Sequence, residues 1–164
     1  MEEKYVLSVL VENHAGVLSR VSGLFSRRGY NIDSLNVCAT ADENRSRMTI
    51  VVRGDEYTLE QIEKQLSKLV EVISIEHCSK SETTQREMVL IKVKADGSAR
   101  AVIIETCNIF RAHIVDVAEN SLIVEATGSE DKLSSLIRLL EPYGILELLR
   151  SGLVAMDRGA KIME

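Results

Sequence analysis

Residues 12–18, which read ENHAGVL, contain side chains suited to binding a small charged molecule. Asn13 carries both a donor and an acceptor, so its carboxamide can bond an ammonium or a carboxylate group. Gly16 has no Cβ and lets the backbone come close to a ligand. Val17 and Leu18 would add an apolar wall. Together these residue types suit a zwitterion with a small hydrophobic side chain.

The same residues lie where one element ends and another begins. Residues 5–11 alternate as a strand does, and the apolar residues from Val17 to Phe25 recur at helical spacing. A helix N-terminus offers unpaired N–H groups and a partial positive charge, which favour a carboxylate. Asn and Gly are also the ordinary residues of turns, so Asn13 and Gly16 could serve only to turn the chain.

The remaining pattern of the first half predicts the order β-α-β-β-α-β. The elements are a helix ending at Gly29, strands over 31–41 and 47–53, a helix opened by a Thr58 capping box, and a strand over 72–76. Residues 79–87 are polar and without periodicity, which is typical of a linker.

The second half repeats this order from the strand at 88–94 to the strand at 145–149, with Ser129 capping its second helix. The sequence therefore predicts an α+β fold of two tandem ferredoxin-like βαββαβ modules. The turn at 96–99 places Asp96 where the first module has Asn13, and an acid would repel a carboxylate. We expect a ligand site in the first module alone.

Modules of about 75 residues are marginal for burying a core of their own. The first strand is apolar on both faces, with Val6 and Leu10 opposite Leu7 and Val9. Helices cover one face only, so we expect the other to pack on a second copy of the chain or on the sister module. The prediction is an obligate oligomer.

Composition excludes several classes of protein. The 164 residues carry 20 Lys plus Arg against 25 Asp plus Glu, a net charge of −5 that disfavours nucleic acid as a partner. No apolar run approaches the roughly 20 residues that cross a bilayer, so no membrane association is expected. Three widely spaced cysteines and the lack of a recognisable signal peptide predict a reducing, cytoplasmic location.

No catalytic or metal site is predicted. The three histidines have no partner at metal-ligand spacing, and His77 and Cys78 would point to opposite faces of a strand. No phosphate-binding loop, nucleophile elbow or H-E-x-x-H motif occurs.

The first segment resembles the start of an ACT domain over residues 7–21, LSVLVENHAGVLSRV. Its continuation at 23–35, GLFSRRGYNIDSL, is similar to the small regulatory subunits of acetohydroxyacid (acetolactate) synthase, as are 46–50, 60–66 and 151–153 with Arg158-Gly159. The resemblance implies an ACT domain at 1–79 for effector binding and dimerisation, a linker at 80–87, and a ferredoxin-like domain with a tail at 88–164 that activates the catalytic subunit.

The resemblance further implies a non-catalytic homodimer that binds a feedback amino acid, usually valine, between two ACT modules. The loop of one chain would face Asn31 and Ile32 of the other, although Asn31 could also be an ordinary residue after a helix. Thiamine diphosphate, Mg²⁺ and FAD are expected on the catalytic large subunit and none on this chain. The expected effector residues are Asn13, His14, Ala15, Gly16, Val17, Leu18, Asn31 and Ile32.

Two other functions remain open from the residues alone. The chain could be a stand-alone amino-acid sensor with another output partner, or an enzyme on a ferredoxin-like scaffold, since the fold does not fix the function. The preferred branched-chain amino acid is also open, because one methylene in an apolar pocket discriminates by only about 1–3 kcal/mol.

Overall fold

The computed structural model describes residues 3–164 and divides them into two compact units. The first unit contains residues up to 85 together with 153–164, and the second contains residues 86–152. The tail from residue 153 therefore groups with the first unit, whereas the domain division implied by the family resemblance joins it to the second domain. Met1 and Glu2, with which the expected ACT domain begins, lie outside the described residues.

The first unit has the predicted order of elements. These are β1 (Glu3–Glu12), α1 (Val17–Arg28), β2 (Ile32–Ala39), β3 (Arg45–Gly54), α2 (Glu56–Leu66) and β4 (Val72–His77). The strands form an antiparallel sheet in the order β2-β3-β1-β4. The sheet therefore has β2 and β4 at its edges and β3 and β1 at its centre. The loop at 13–16 follows β1, and the turn at 42–44 precedes β3.

The boundaries of the two helices follow from local chemistry. α1 ends as predicted at Gly29, whose φ of +70° suits glycine, and Tyr30 N–H donates to the Phe25 carbonyl at 3.1 Å. The predicted capping box at Thr58 is wrong, because Asp55 caps α2 one turn earlier. Its Oδ1 accepts from Thr58 N–H at 2.8 Å, so Thr58 lies inside the helix.

One face of this sheet and both helices form the core. Alternate residues of β1 and β3 point toward the apolar sides of α1 and α2, as the period of a strand requires. The fully buried members of this cluster include Leu7, Val9, Val11, Phe25, Ile50, Ile62 and Leu66. Val70 lies beyond the end of α2 at Leu66 and is 88% exposed.

The second unit repeats the topology. After β5 (Thr83–Lys94) come α3 (Arg100–Ile109), β6 (His113–Val117), β7 (Ser121–Gly128), α4 (Glu130–Leu140) and β8 (Ile145–Arg150), with a 3₁₀ turn at Glu141–Tyr143. The strand order β6-β7-β5-β8 is the counterpart of the order in the first sheet. Ser129 caps α4 by accepting from Lys132 N–H at 3.4 Å, as predicted.

The expected linker is partly a strand. β5 begins at Thr83, inside the polar stretch 79–87, where side chains also bond to nearby backbone carbonyls. Thr83 Oγ1 donates to the Ser79 carbonyl at 2.6 Å, and Gln85 Nε2 donates to the Cys78 carbonyl at 3.0 Å. Glu87 is buried and ion-paired with Arg150 at 2.7 Å. These three polar side chains of the stretch are therefore hydrogen-bonded or ion-paired.

The second face of the first sheet is covered in part by the C-terminal segment. Residues 153–164 include β9 (Val154–Asp157), and Leu153 and Ala155 pack with Val6, Val51 and Cys78 in a separate buried cluster. At Val6 the cover is thus the chain's own tail, not the second copy or sister module that the sequence suggested.

Candidate functional site

The loop between β1 and α1 leaves the start of the helix uncapped. Gly16 occupies the N-cap position with φ +90°, a conformation that favours glycine, and no side chain within residues 3–164 caps the helix there. Val17 is buried and anchors the first turn, whereas Leu18 is 45% exposed. Val17 N–H donates to the His14 carbonyl at 3.4 Å. The next first-turn amides, of Leu18 and Ser19, remain available to an anionic group.

Asn13 is held in place by the turn between β2 and β3. Its backbone N–H donates to the Asn44 carbonyl at 2.8 Å, and its Nδ2 donates to the Glu43 carbonyl at 2.7 Å. These bonds use donors only, so the carboxamide Oδ1 is oriented and can accept a hydrogen bond, for example from an ammonium group. Asn13 is exposed, as a ligand-contacting residue must be.

His14 adds a titratable group beside this loop. Its Nδ1 lies 3.1 Å from the Ala15 carbonyl, and its Nε2 lies 3.0 Å from Glu12 Oε2. The Ala15 carbonyl, and after it the Glu12 carboxylate, raise the pKa of His14 above its ordinary value. The imidazolium form is therefore stabilised here relative to that of an unperturbed histidine.

Glu71 is a site-supporting residue that the sequence reasoning missed. Its carboxylate is buried and paired with Arg20 of α1, while its backbone carbonyl accepts from Glu12 N–H at 2.9 Å. Glu71 thus connects α1 to the last residue of β1, the two elements that flank the loop. The available signal was an acid between the apolar residues Val70 and Val72.

A small cavity adjoins the loop. Its volume is about 70 Å³, well below the roughly 300–1,000 Å³ of a typical ligand pocket. One chain alone therefore encloses too little space here for a typical ligand. The cavity is lined by Val11, Glu12, Asn13, His14, Val17 and Leu18, and by Val37, Ser46 and Met48 of β2 and β3, which the sequence did not single out.

Asn31 and Ile32 lie at the opposite end of the sheet. Ile32 pairs with Val52, which pairs with Tyr5, whereas the loop follows Glu12, seven residues farther along β1. At about 3.3 Å per residue the two ends are roughly 23 Å apart. The structure therefore brings residues 13–18 together but does not bring Asn31 and Ile32 to them within one chain. Asn31 Nδ2 instead donates to Asp33 Oδ1 at 3.3 Å.

The equivalent turn of the second unit is closed by its own carboxylate. Asp96 Oδ1 accepts from Ser98 Oγ at 2.8 Å, from Ala99 N–H at 3.1 Å and from Ser98 N–H at 3.2 Å. The Ser98 hydroxyl and these amide groups hold the pKa of Asp96 below its usual value. These bonds close the turn before α3 and place a carboxylate there, although no side chain caps α3 itself.

The described residues offer neither a metal site nor a membrane span. Within residues 3–164, no group of three or more His, Cys, Asp or Glu side chains is placed to hold a metal ion. No helix in this part of the chain is both long and apolar enough to span a membrane.

Both halves of the chain match known protein families. The family model for the AHAS small subunit-like ACT domain matches residues 7–74. The family model described as the small subunit of acetolactate synthase matches residues 86–159. The two matches together span most of both units.

Individual relatives match over nearly their whole length. The acetolactate synthase small subunit of Mycobacterium bovis is 53% identical over 157 residues, 96% of this chain and 94% of that protein. The probable acetolactate synthase small subunit of Archaeoglobus fulgidus is 53% identical over 158 residues, covering 96% and 99%. The crystal structure of the acetolactate synthase small subunit from Thermotoga maritima has 40% identity and a TM-score of 0.89, with 96% and 98% of the two chains covered.

Proposed function

Since the chain belongs to the acetolactate synthase small-subunit family, we propose that it binds a branched-chain amino acid, valine foremost, in its ACT domain. Binding there would impose feedback inhibition on a catalytic subunit that the chain otherwise activates. The chain itself would be non-catalytic and act in the cytoplasm. Its effect would be on the synthesis of valine, leucine and isoleucine.

The observation that carries this proposal is the uncapped start of α1 beside Asn13. An amino acid needs donors for its carboxylate and acceptors for its ammonium group. The first-turn amides after Gly16 supply donors, and Asn13 Oδ1, oriented by the bond from Nδ2 to the Glu43 carbonyl, supplies an acceptor. Val17 and Leu18 offer apolar surface to a short side chain.

The asymmetry between the units supports a single effector site per chain. In the second unit the Asp96 carboxylate occupies the turn before α3 and accepts from the Ser98 and Ala99 amides. A ligand carboxylate would have to displace it and would meet its negative charge. Effector binding is therefore proposed for the first unit only.

Pairing of two chains would complete the site. β2 is an edge strand, and its backbone can pair with another strand. Antiparallel pairing of two β2 strands about a two-fold axis would set Asn31 of one chain beside the Ala39 end of the other. Ala39 pairs with Ser46, at the end of the sheet where the loop lies. A homodimer would thus bring Asn31 and Ile32 to the partner's small cavity.

The catalytic large subunit is the proposed second partner. It would carry thiamine diphosphate, Mg²⁺ and FAD, which supply the carbon–carbon bond chemistry. The residues of this chain would contribute no ligand to those groups. Their part would be to bind the effector and to change the activity of the partner.

Reconstitution tests this proposal. The full chain is mixed with the catalytic subunit of the same organism, and acetolactate formation is measured with and without valine. We expect the chain to raise the activity and valine to lower it. Activity that is unchanged by the chain would contradict the role as an activating subunit. Activation that no branched-chain amino acid reverses would contradict the effector role.

A further inference from the structure

The strands that line the small cavity also hold the C-terminal segment on their other face. Successive side chains of a strand point to opposite faces. Val37 of β2 and Ser46 and Met48 of β3 line the cavity. Their neighbours Asn36 and Arg47 point to the opposite face, where residues 153–164 lie.

Asn36 and Arg47 both bond to the backbone at the start of that segment. Asn36 Nδ2 donates to the Leu153 carbonyl at 3.0 Å. Arg47 Nη2 donates to the Ala155 carbonyl at 3.1 Å, and its Nε donates to Ser8 Oγ at 2.7 Å. Between these anchors Leu153 and Ala155 are buried against Val6 and Val51. The side-chain hydrogen bonds to 153–155 thus come from β2 and β3, whereas its apolar contacts reach β1 and β3, and the backbone of β9 pairs with β5.

Two residues farther along the segment, Arg158 and Lys161, are held by groups away from the cavity. Arg158 N–H donates to the Glu82 carbonyl at 2.9 Å, and Arg158 Nε donates to the Thr83 carbonyl at 3.2 Å. Lys161 pairs with Glu76 of β4 at 3.3 Å and with Asp157 at 3.5 Å. These contacts provide matched controls, because they bind the same segment without touching a cavity-lining strand.

We propose that residues 153–164 report effector occupancy of the cavity, with Asn36 and Arg47 as the positioning residues that connect the two. This inference rests on the proposed amino-acid site. An effector that orders β2 and β3 also fixes the two side chains that hold Leu153 and Ala155. The segment follows directly on Gly152, the last residue of the second unit.

Thermodynamic linkage predicts the direction in which loss of an anchor changes effector affinity. If the effector favours the docked segment, the docked segment favours the effector by the same factor. Loss of an anchor therefore weakens both the response and the affinity. A ligand that rigidifies the strands is also expected to slow local opening of the segment that they hold.

Hydrogen exchange on the unmodified full chain is the first test. Amide exchange is measured with and without valine, at a concentration where a rise in melting temperature shows binding. We expect exchange across 153–158 to slow several-fold, together with exchange in the loop at 13–18. Slower exchange in the loop with unchanged exchange in 153–158 would overturn the inference. Absence of any valine-dependent change in melting temperature or exchange would overturn the proposed function itself.

Substitution of the anchors is the second test. In the holoenzyme, Arg47→Ala and Asn36→Ala are expected to raise the valine concentration for half-inhibition about five-fold or more. Activation without valine is expected to stay within two-fold of the unsubstituted level. The control Lys161→Ala removes a tail contact on β4 and is expected to change valine sensitivity by less than two-fold.

The controls decide between coupling and general stability. A folded Arg47→Ala chain with unchanged valine sensitivity would overturn the inference, as would an equal loss of sensitivity in Lys161→Ala. Arg47→Lys keeps a donor that can reach the Ala155 carbonyl, and it is expected to restore at least part of the response. If Arg47→Ala fails to fold, hydrogen exchange on the unmodified chain still either supports or overturns the coupling.

Discussion

Asn13 and Asn31 lie at opposite ends of the first sheet, because the strand residues next to them, Glu12 and Ile32, are seven residue positions apart along β1. Within one chain this corresponds to roughly 23 Å, far beyond the reach of one amino acid. The two residues can contact one ligand only if a second chain supplies one of them. The proposed site is therefore a property of the dimer.

Mixed dimers test this arrangement. Asn13→Ala and Asn31→Ala homodimers each lose a contact at both sites. A 1:1 mixture that exchanges subunits should regain about a quarter of the sites at full affinity, because each mixed two-fold dimer contains one intact site. Calorimetric titration with valine measures this fraction. No recovery after subunit exchange would contradict a cross-chain site.

Asn13→Ala should weaken effector binding while leaving the fold intact. Asn13 is exposed, so replacing its side chain removes little packing. A hydrogen bond to a charged group contributes about 1.5–3 kcal/mol, which corresponds to a loss of affinity of roughly 10- to 100-fold. Valine titration of the full chain measures this loss of affinity. Asn120→Ala, at an exposed position between β6 and β7 of the second unit, is the control. Full valine sensitivity in Asn13→Ala would show that Asn13 only forms a turn.

A pair of glycine substitutions separates backbone strain from helix propensity. Gly16 has φ +90°, so Gly16→Ala should destabilise the chain by about 1 kcal/mol or more and place a methyl group where a ligand would approach. Gly23 lies within α1 with open space around its Cβ position, so Gly23→Ala should stabilise by about 0.5–1 kcal/mol. Urea denaturation measures both changes. Equal effects of the two substitutions would contradict the role assigned to Gly16.

His14 should titrate above its ordinary pKa of 6.5, because the Ala15 carbonyl and then the Glu12 carboxylate stabilise the imidazolium. A pKa that is raised on folding contributes stability that is fully present below the unfolded value and is lost as the pH rises through the folded value. Proton NMR of the imidazole measures the pKa. Glu12→Gln should lower it, and an unchanged titration in that variant would exclude the Glu12 contact.

Much of the fold follows from local patterns. Gly29 ends α1 and Ser129 starts α4, because a left-handed cap and a side-chain N-cap depend on neighbouring residues alone. Local patterns fail where two signals compete. Asp55 caps α2 in place of the Thr58 capping box because the earlier carboxylate reaches the Thr58 amide and adds a helical turn.

Contacts between residues far apart in the sequence are the part of the structure that local patterns do not predict. The loop at 13–18 could be identified from residue types, but Val37, Ser46 and Met48 join it only through strand register. The packing of Leu153 and Ala155 on Val6 links positions nearly the whole chain apart. Neither periodicity nor composition carries such information. A strand that is apolar on both faces predicts a cover, and only the structure identifies the cover as the tail.

Binding of a branched-chain amino acid by the first-unit loop is the central claim of the proposed function. We would measure it by a thermal-shift comparison of the full chain and Asn13→Ala against the twenty amino acids at millimolar concentration. At about 100 times Kd a specific ligand stabilises the folded state by roughly 2.7 kcal/mol, which gives a clear rise in melting temperature. We expect a rise with valine and its branched relatives in the unmodified chain, reduced in Asn13→Ala. No rise with any branched-chain amino acid, or the same rise in both chains, would contradict binding at this loop.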